Sequence, residues 1–183
     1  AFIKSIRGGD PDAAVYWLAR MLDGGEDVKF IARRLVILAS EDIGLANPNA
    51  LLIANTCFQS VHVIGMPEAR IILSETAIYL ATSPKSNSAY MAINQAMDEV
   101  KKTGNLPVPL HLRNAPTQLM KEIGYGKDYK YAHDYRNNFV PDQFMPDELK
   151  KTQFYKPGSN KREDEIRSRL GYQWKDKKKY NDQ

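Results

Sequence analysis

An all-α fold is the expectation for this chain of 183 residues. Three observations carry it. Apolar residues recur at three- and four-residue spacing through the first hundred or so positions. Each run is punctuated by a capping residue, often with proline, at its start and in most cases by glycine at its end. No stretch in that half alternates polar and apolar residues as a half-buried strand would. The prediction is a bundle of about five helices over residues 1–104, followed over residues 105–183 by an irregular, aromatic- and lysine-rich segment with short helices. The composition is that of a globular protein, 43% hydrophobic and 26% charged, and the length suffices for a real core.

Each element has its own warrant. AFIKSIR, residues 1–7, reads as the last turns of a helix stopped by Gly8-Gly9. Asp10 is a good N-cap, and Pro11 suits the first helical position because its missing N–H would be unpaired there anyway. Val15, Leu18 and Leu22 follow at helical spacing, with Trp17 and Met21 beside them, until Gly24-Gly25. A further helix over about 27–41 sets Ile31, Leu35 and Leu38 on one face and Arg33 and Arg34 on the other. Asn47-Pro48 repeats the cap-and-proline device before Leu51, Ala54, Cys57, Phe58 and Val61. Pro67 opens the next helix, with Ile71, Ile72, Glu75, Ile78 and Tyr79. Ser86 or Asn87 caps the last, which carries Tyr90, Ile93, Met97 and Val100 to Gly104.

The helices over residues 51–64 and 68–80 stand out. LLIANTCFQSVHVIG has no acidic or basic residue apart from His62. A helix apolar all round is either central to its own bundle or covered by another subunit. Both readings stay open, and the candidates for an oligomer interface are Leu51, Leu52, Phe58, Gln59, Ile72 and Tyr79. Gln59 is polar within an apolar helix, so it is expected on the outer side.

Charge is unevenly spread. Residues 1–104 carry 10 Lys+Arg and 11 Asp+Glu, whereas residues 105–183 carry 16 and 11. The basic excess thus lies in the C-terminal part and suits an acidic partner such as DNA. Rings from Tyr125 to Tyr155 interleave with basic side chains there. Bases can stack on such rings while cations take phosphates; equally, large side chains can staple an irregular segment onto a bundle, the favoured reading. The DNA-contact candidates are Lys127, Lys130, Arg136, Lys177, Lys178 and Lys179. Residues 175–183 are read as a solvated, disordered tail. The single cysteine, Cys57, rules out an internal disulfide framework and favours a reducing, cytoplasmic setting. No secretory signal or membrane-spanning stretch is legible.

Catalysis finds little support. LVILASED, residues 35–42, looks like an apolar strand ending in a magnesium-holding acidic pair, but its spacing is helical. No G-x-x-x-x-G-K-[ST] phosphate loop occurs, and GYGK at 124–127 lacks that spacing. Glu41 and Asp42 near a helix C-terminus need a compensating partner, expected to be Arg33, Arg34 or a following backbone N–H. His62, His111 and His133 have no metal-ligand spacing. His133 beside Asp134 has no nucleophile to serve and is expected to hydrogen-bond within a loop. No catalytic, cofactor or metal residue is assigned.

KSIRGGDPDAAVYWLARML (4–22), ARRLVILASEDIGLANP (32–48), SPKSNSAY (83–90), LPVPLHLRNAPT (106–117), GYGKDYKYAHDY (124–135) and YKPGSNKREDEIRSRL (155–170) occur in order. Together they resemble the C-terminal region of the bacterial replication-associated recombination protein A family, which includes the eukaryotic Werner-helicase-interacting proteins. The resemblance implies an AAA+ ATPase core upstream, holding ATP and Mg²⁺, with AFIKSIR arriving from its side. It implies a domain similar to a clamp-loader collar through which the family assembles into tetramers. It also implies action on DNA at stalled replication forks, DNA-stimulated ATP hydrolysis, association with single-stranded-DNA-binding protein and a cytoplasmic, nucleoid-associated location. The runner-up reading is a module that contacts DNA directly through its basic half. WKDKKKYNDQ at 174–183 matches no motif of that family.

Overall fold

The structure, a computed structural model, describes residues 1–180. Among the described residues there are eight α-helices and no β-strand, so the all-α expectation holds. They are α1 (Phe2–Gly8), α2 (Pro11–Asp23), α3 (Val28–Leu38), α4 (Asn49–Ile64), α5 (Ala69–Thr82), α6 (Ser88–Thr103), α7 (Gln118–Ile123) and α8 (Lys161–Trp174). The chain divides into two compact units. The first comprises Ala1–Ile93 with Pro157–Ile166, the second Asn94–Lys156 with the chain from Arg167 onward.

In the first unit, α5 is the element on which α1, α2, α3 and α4 all pack. Ile6, Leu18, Ile31, Leu35, Leu38, Leu73 and Leu80 are buried. Between them lie buried alanines: Ala14 on α2, Ala32 on α3, Ala50 and Ala54 on α4, and Ala69, Ala77 and Ala81 on α5. Interhelical distance is set by the side chains at the contact, so these small residues let several helices approach one post. The Asp10-Pro11 device acts as the sequence suggests, whereas α4 has Pro48 itself at its N-cap position. Asp10 accepts the Ala13 N–H at 2.9 Å, and Asp27 accepts that of Lys29 at 3.0 Å.

The helix expected over residues 27–41 changes character at its end. After Leu38 the backbone widens into a π-helical turn, Ala39–Ile43, and then a 3₁₀ turn, Gly44–Ala46. The turn buries Ala39 and Ile43. It also directs Glu41 and Asp42 to Arg7 on α1, not to Arg33 or Arg34, which remain exposed. The Ser86 N–H donates to the Asp42 carbonyl at 2.8 Å, and Gly44 (φ 47°) lies against the Ser86 carbonyl, where a Cβ would sit 3.1 Å away. Likewise α5 starts at Ala69, two residues after the proline that the sequence suggests as its opener.

The same loop binds the segment that returns from far along the chain. Glu163, in the first turn of α8, is fully buried. Its carboxylate accepts from Ser88 Oγ at 2.5 Å and from Asn160 Nδ2 at 2.6 Å. Ser86 and the Gly158 N–H donate to it as well. Asn160 in turn caps α8 by accepting the Glu163 N–H at 3.1 Å, a reciprocal capping arrangement. Burial opposes ionisation here, but the converging donors outweigh it and hold the Glu163 pKa at about 2. A Cβ on Gly158 would lie 2.8 Å from Glu163 Oε2 and 3.0 Å from Ser86 Oγ, so a side chain there would push on the carboxylate and its donor.

The second unit has few buried apolar side chains, Val140 and Tyr180 among the described residues. Ring and cation contacts supply much of its packing. Phe139 and Phe144 meet Trp174 edge-on, with centroids 5.3 and 6.4 Å away, and Arg113 lies 4.9 Å from the Tyr125 ring while donating to Val108 O. Of the stretch read as a tail, residues 181–183 lie outside the described residues. Residues 175–177 form a 3₁₀ turn and Tyr180 is buried.

The Glu163 carboxylate sets an acid dependence. A depressed pKa means stability present above about pH 4.5 and lost as pH falls towards 2. Glu163→Gln should therefore unfold at lower urea concentration at pH 6, by on the order of 3 kcal/mol, and the gap to the parent should narrow by pH 3. A gap independent of pH would contradict the ionised clasp.

Candidate functional site

Two surfaces collect the residues singled out in the sequence. The first is the outward side of α4. Ala50, Ala54, Cys57 and Val61 form its buried stripe. At 100° per residue the opposite side carries Leu52, Asn55, Thr56, Gln59 and Val63. Leu52 is 66% and Val63 82% exposed, and Gln59 is exposed between them. Leu51, Ile64 and Met66 extend the apolar surface, and no acidic or basic residue lies between 51 and 67 apart from His62. Of the six interface candidates, Leu51, Leu52 and Gln59 lie on open surface. Phe58, Ile72 and Tyr79 are half-buried against the core, and the Tyr79 hydroxyl accepts from Asn47 Nδ2 at 2.9 Å. Periodicity alone did not separate these two groups, because both α4 and α5 are apolar on more than one side.

The second surface belongs to the basic unit, which holds all six DNA-contact candidates. Lys127 and Lys130 line a cavity of about 720 Å³ with Lys121 and His111. Lys130 pairs there with Asp142 at 3.4 Å; the Asp142 pKa is lowered, chiefly by the Gln143 N–H. Arg136 and Lys177 line a cleft of about 440 Å³ with Trp174. Lys177 Nζ also donates to the Pro141 carbonyl. Lys178 Nζ sits 4.4 Å from the centre of the Trp174 ring, and burial lowers its pKa. Lys179 is exposed.

The stapling expected of the aromatic residues is shared unevenly. Tyr125 and Phe139 pack as described, but Tyr129, Tyr131 and Tyr135 are exposed. They flank short 3₁₀ turns, Ala132–Asp134 and Arg136–Asn138, which offer no continuous face to pack upon. The loop hydrogen bond expected of His133 is made by His111, whose Nε2 lies 2.7 Å from Gln143 O, while His133 meets the Tyr131 ring at 5.0 Å. Trp174 was not singled out in the sequence as a site residue; one tryptophan beside a lysine run carries no periodic signal.

Among the described residues no group of three or more His, Cys, Asp or Glu side chains could hold a metal ion, and no helix is long and apolar enough to cross a membrane. The acidic pair at 41–42 is a structural bridge. Arg7 Nε donates to Asp42 Oδ1 at 2.6 Å, and this bond raises the Arg7 pKa. Asp42 Oδ2 is buried without a hydrogen-bond partner.

The fold is that of an all-α helical domain. The family model described as "MgsA AAA+ ATPase C terminal" matches residues 8–174, and the chain belongs to that family. Proteins named replication-associated recombination protein A from Coxiella burnetii and Escherichia coli are 47% and 40% identical, each over 94% of this chain and 39% of the relative. An ATPase of Dictyostelium discoideum named WRNIP1 is 43% identical over 85% of this chain and 18% of its own length. The family resemblance read from the motifs is therefore correct. The chain spans less than two-fifths of the length of these relatives.

Removing Arg7 would leave Asp42 largely buried with its ion-pair partner lost. Arg7→Ala should destabilise the chain by about 1–2 kcal/mol, lowering the melting temperature by roughly 2–8 °C for a chain of this size. Arg33→Ala, on the exposed side of α3, should leave it within about 2 °C of the parent. Equal effects from the two would contradict the assignment of Arg7 as the partner.

Proposed function

We propose that this chain is the self-association domain of an AAA+ ATPase that acts on DNA, and that it assembles as a tetramer. The observation that carries this reading is the charge-free outward side of α4. Leu52 and Val63 stand in water there, and contiguous exposed apolar surface of this kind marks interaction sites or leads to aggregation. A specific interface removes roughly 800 Å² per partner, and Leu51, Ile64 and Met66 widen the face in that direction. Membership of the family supports an ATPase parent; in the parent, ATP and Mg²⁺ would be held by another region, which this domain would bring together with its copies. The nucleoid-associated location and an association with single-stranded-DNA-binding protein belong to the same reading and rest on family resemblance alone.

Light scattering on the chain without nucleotide tests this. The expected result is a tetramer, or at least a dimer. Gln59→Glu places a charge in the middle of the face and should shift the mass to a smaller species while circular dichroism stays helical. A well-behaved monomer of the parent chain at high micromolar concentration would contradict the proposal. The chain is also expected to lack ATP binding, since its sequence has no phosphate loop. Saturable, Mg²⁺-dependent ATP binding in calorimetry would overturn that.

A second reading is favoured by one observation, the gathering of basic side chains around the clefts of the second unit. Here the domain also touches DNA, weakly and without sequence preference. Replacing Lys177, Lys178 and Lys179 with glutamine should flatten the log–log salt dependence of DNA affinity by up to about 0.9 per lost phosphate contact. An unchanged slope would place the contacts elsewhere.

A further inference from the structure

The second unit contains a cleft whose chemistry is more specific than a basic patch. Two separate segments build it. Arg136, Asn137, Phe139 and Pro141 form one wall, and residues 172–177 at the end of α8 form the other. Its volume, about 440 Å³, is in the range of sites that hold a small planar ligand. A second cleft of about 310 Å³ shares Trp174 and Lys177 with the first and adds Lys150, Lys151 and Lys178. Across the two, six cationic side chains face only two carboxylates, Asp142 and Asp176. Asp142 is already paired with Lys130.

The apolar part of the cleft consists of rings. Trp174 is fixed by the edges of Phe139 and Phe144 and by Lys178. Tyr172, in the same cleft, is 73% exposed. Tyr172 precedes Trp174 by two residues on α8, so the two rings leave the helix in different directions, and Tyr172 offers the open ring face of the cleft. One residue of the walls, Lys175 (φ 46°), holds a left-handed backbone conformation that lysine rarely adopts. Such outliers persist where surrounding structure imposes them, and they gather at binding sites.

We propose that this cleft, which Trp174 also lines, receives an unpaired nucleobase of a single nucleic-acid strand, stacked on Tyr172, with the flanking phosphates on Arg136, Lys175 and Lys177. The proposal rests on the reading that the basic unit touches DNA, and it names the part of the nucleic acid that is recognised. Cations on both walls of a ring-lined cleft match the alternation of phosphate and base along a strand. A duplex keeps its bases stacked on each other and could offer this cleft only phosphates. An acidic peptide would use the cations but leave the ring faces unmatched.

The test is binding of a short oligo-dT strand, about twelve nucleotides and so within the ~4–16 that a single-strand site covers, against a duplex of equal length. Tyr172→Ala should weaken strand binding about 5- to 100-fold, the span of base stacking on one ring, and Trp174→Ala should weaken it as well. Duplex affinity should change by less than about two-fold. Trp174→Ala also removes packing with Phe139 and Phe144, so Tyr172→Ala, at an exposed ring, keeps the test decisive if the first variant misfolds. Trp174→Phe should retain most of the strand affinity. If the parent binds the strand and Tyr172→Ala leaves that affinity unchanged, the base site is wrong while the DNA reading survives. Equal losses for strand and duplex would reduce the cleft to a charge effect and overturn the proposal. A poly-glutamate peptide that binds and is weakened by Tyr172→Ala would replace the nucleobase with a peptide. No binding of either DNA by the parent at low salt would remove the DNA reading and this proposal together.

Discussion

Helix α5 is the constraint on which the first unit depends. Four helices pack on it, and its buried positions are largely small: Ala69, Thr76, Ala77 and Ala81 beside Leu73 and Leu80. A post of this kind admits close neighbours but supplies little bulk, so the neighbours must provide it. Ile6, Leu18, Ile31 and Leu35 do so from α1, α2 and α3. The helix α4 answers differently. It meets α3 and α5 through Ala50, Ala54 and Cys57 and keeps larger apolar side chains, Leu51, Leu52, Val63 and Ile64, for its other sides. Burial within the chain therefore does not use up the apolar surface of α4. This arrangement is what supports a role in self-association.

The two units are stabilised by different physics. The first has a continuous apolar core, closed at one end by the ionised, fully buried Glu163 and its donors. That carboxylate joins residues 75 positions apart through Ser88, which is a long loop to close for one hydrogen bond. The neighbouring donors make it worthwhile, since a buried carboxylate is tolerated only when it is saturated with hydrogen bonds. The second unit relies on rings, cations and turns around few buried side chains. Its bonds are partly open to solvent, and Tyr129, Tyr131, Tyr135 and Tyr172 remain exposed.

Much of the first unit was legible because its punctuation is local. Asp10-Pro11 caps where the sequence places it, and Leu18, Ile31, Leu35 and Leu38 lie in the core as their spacing predicts. What periodicity could not show is non-local. The partner of Glu41 and Asp42 is Arg7, brought close by a π-helical turn that leaves no sequence signature. The burial of Glu163 was equally hidden, because a glutamate in a charged run looks solvated until Ser86 and Ser88 are placed beside it. Buried alanines carry no apolar weight in a pattern search, though they decide which helices approach. In the second unit the basic excess was visible, but the pairing of residues 136–141 with 172–177 depends on tertiary structure alone.

In the proposed assembly the outward side of α4 is covered by another copy of the chain. Hydroxyl-radical footprinting at increasing protein concentration measures this directly, because it reads side-chain accessibility residue by residue. The account predicts that labelling of Leu52, Val63 and Met66 falls as concentration rises from nanomolar to high micromolar, while labelling of exposed Tyr16 on α2 stays constant. Labelling of Leu52 and Val63 that is independent of concentration, at a constant monomeric mass, would contradict it.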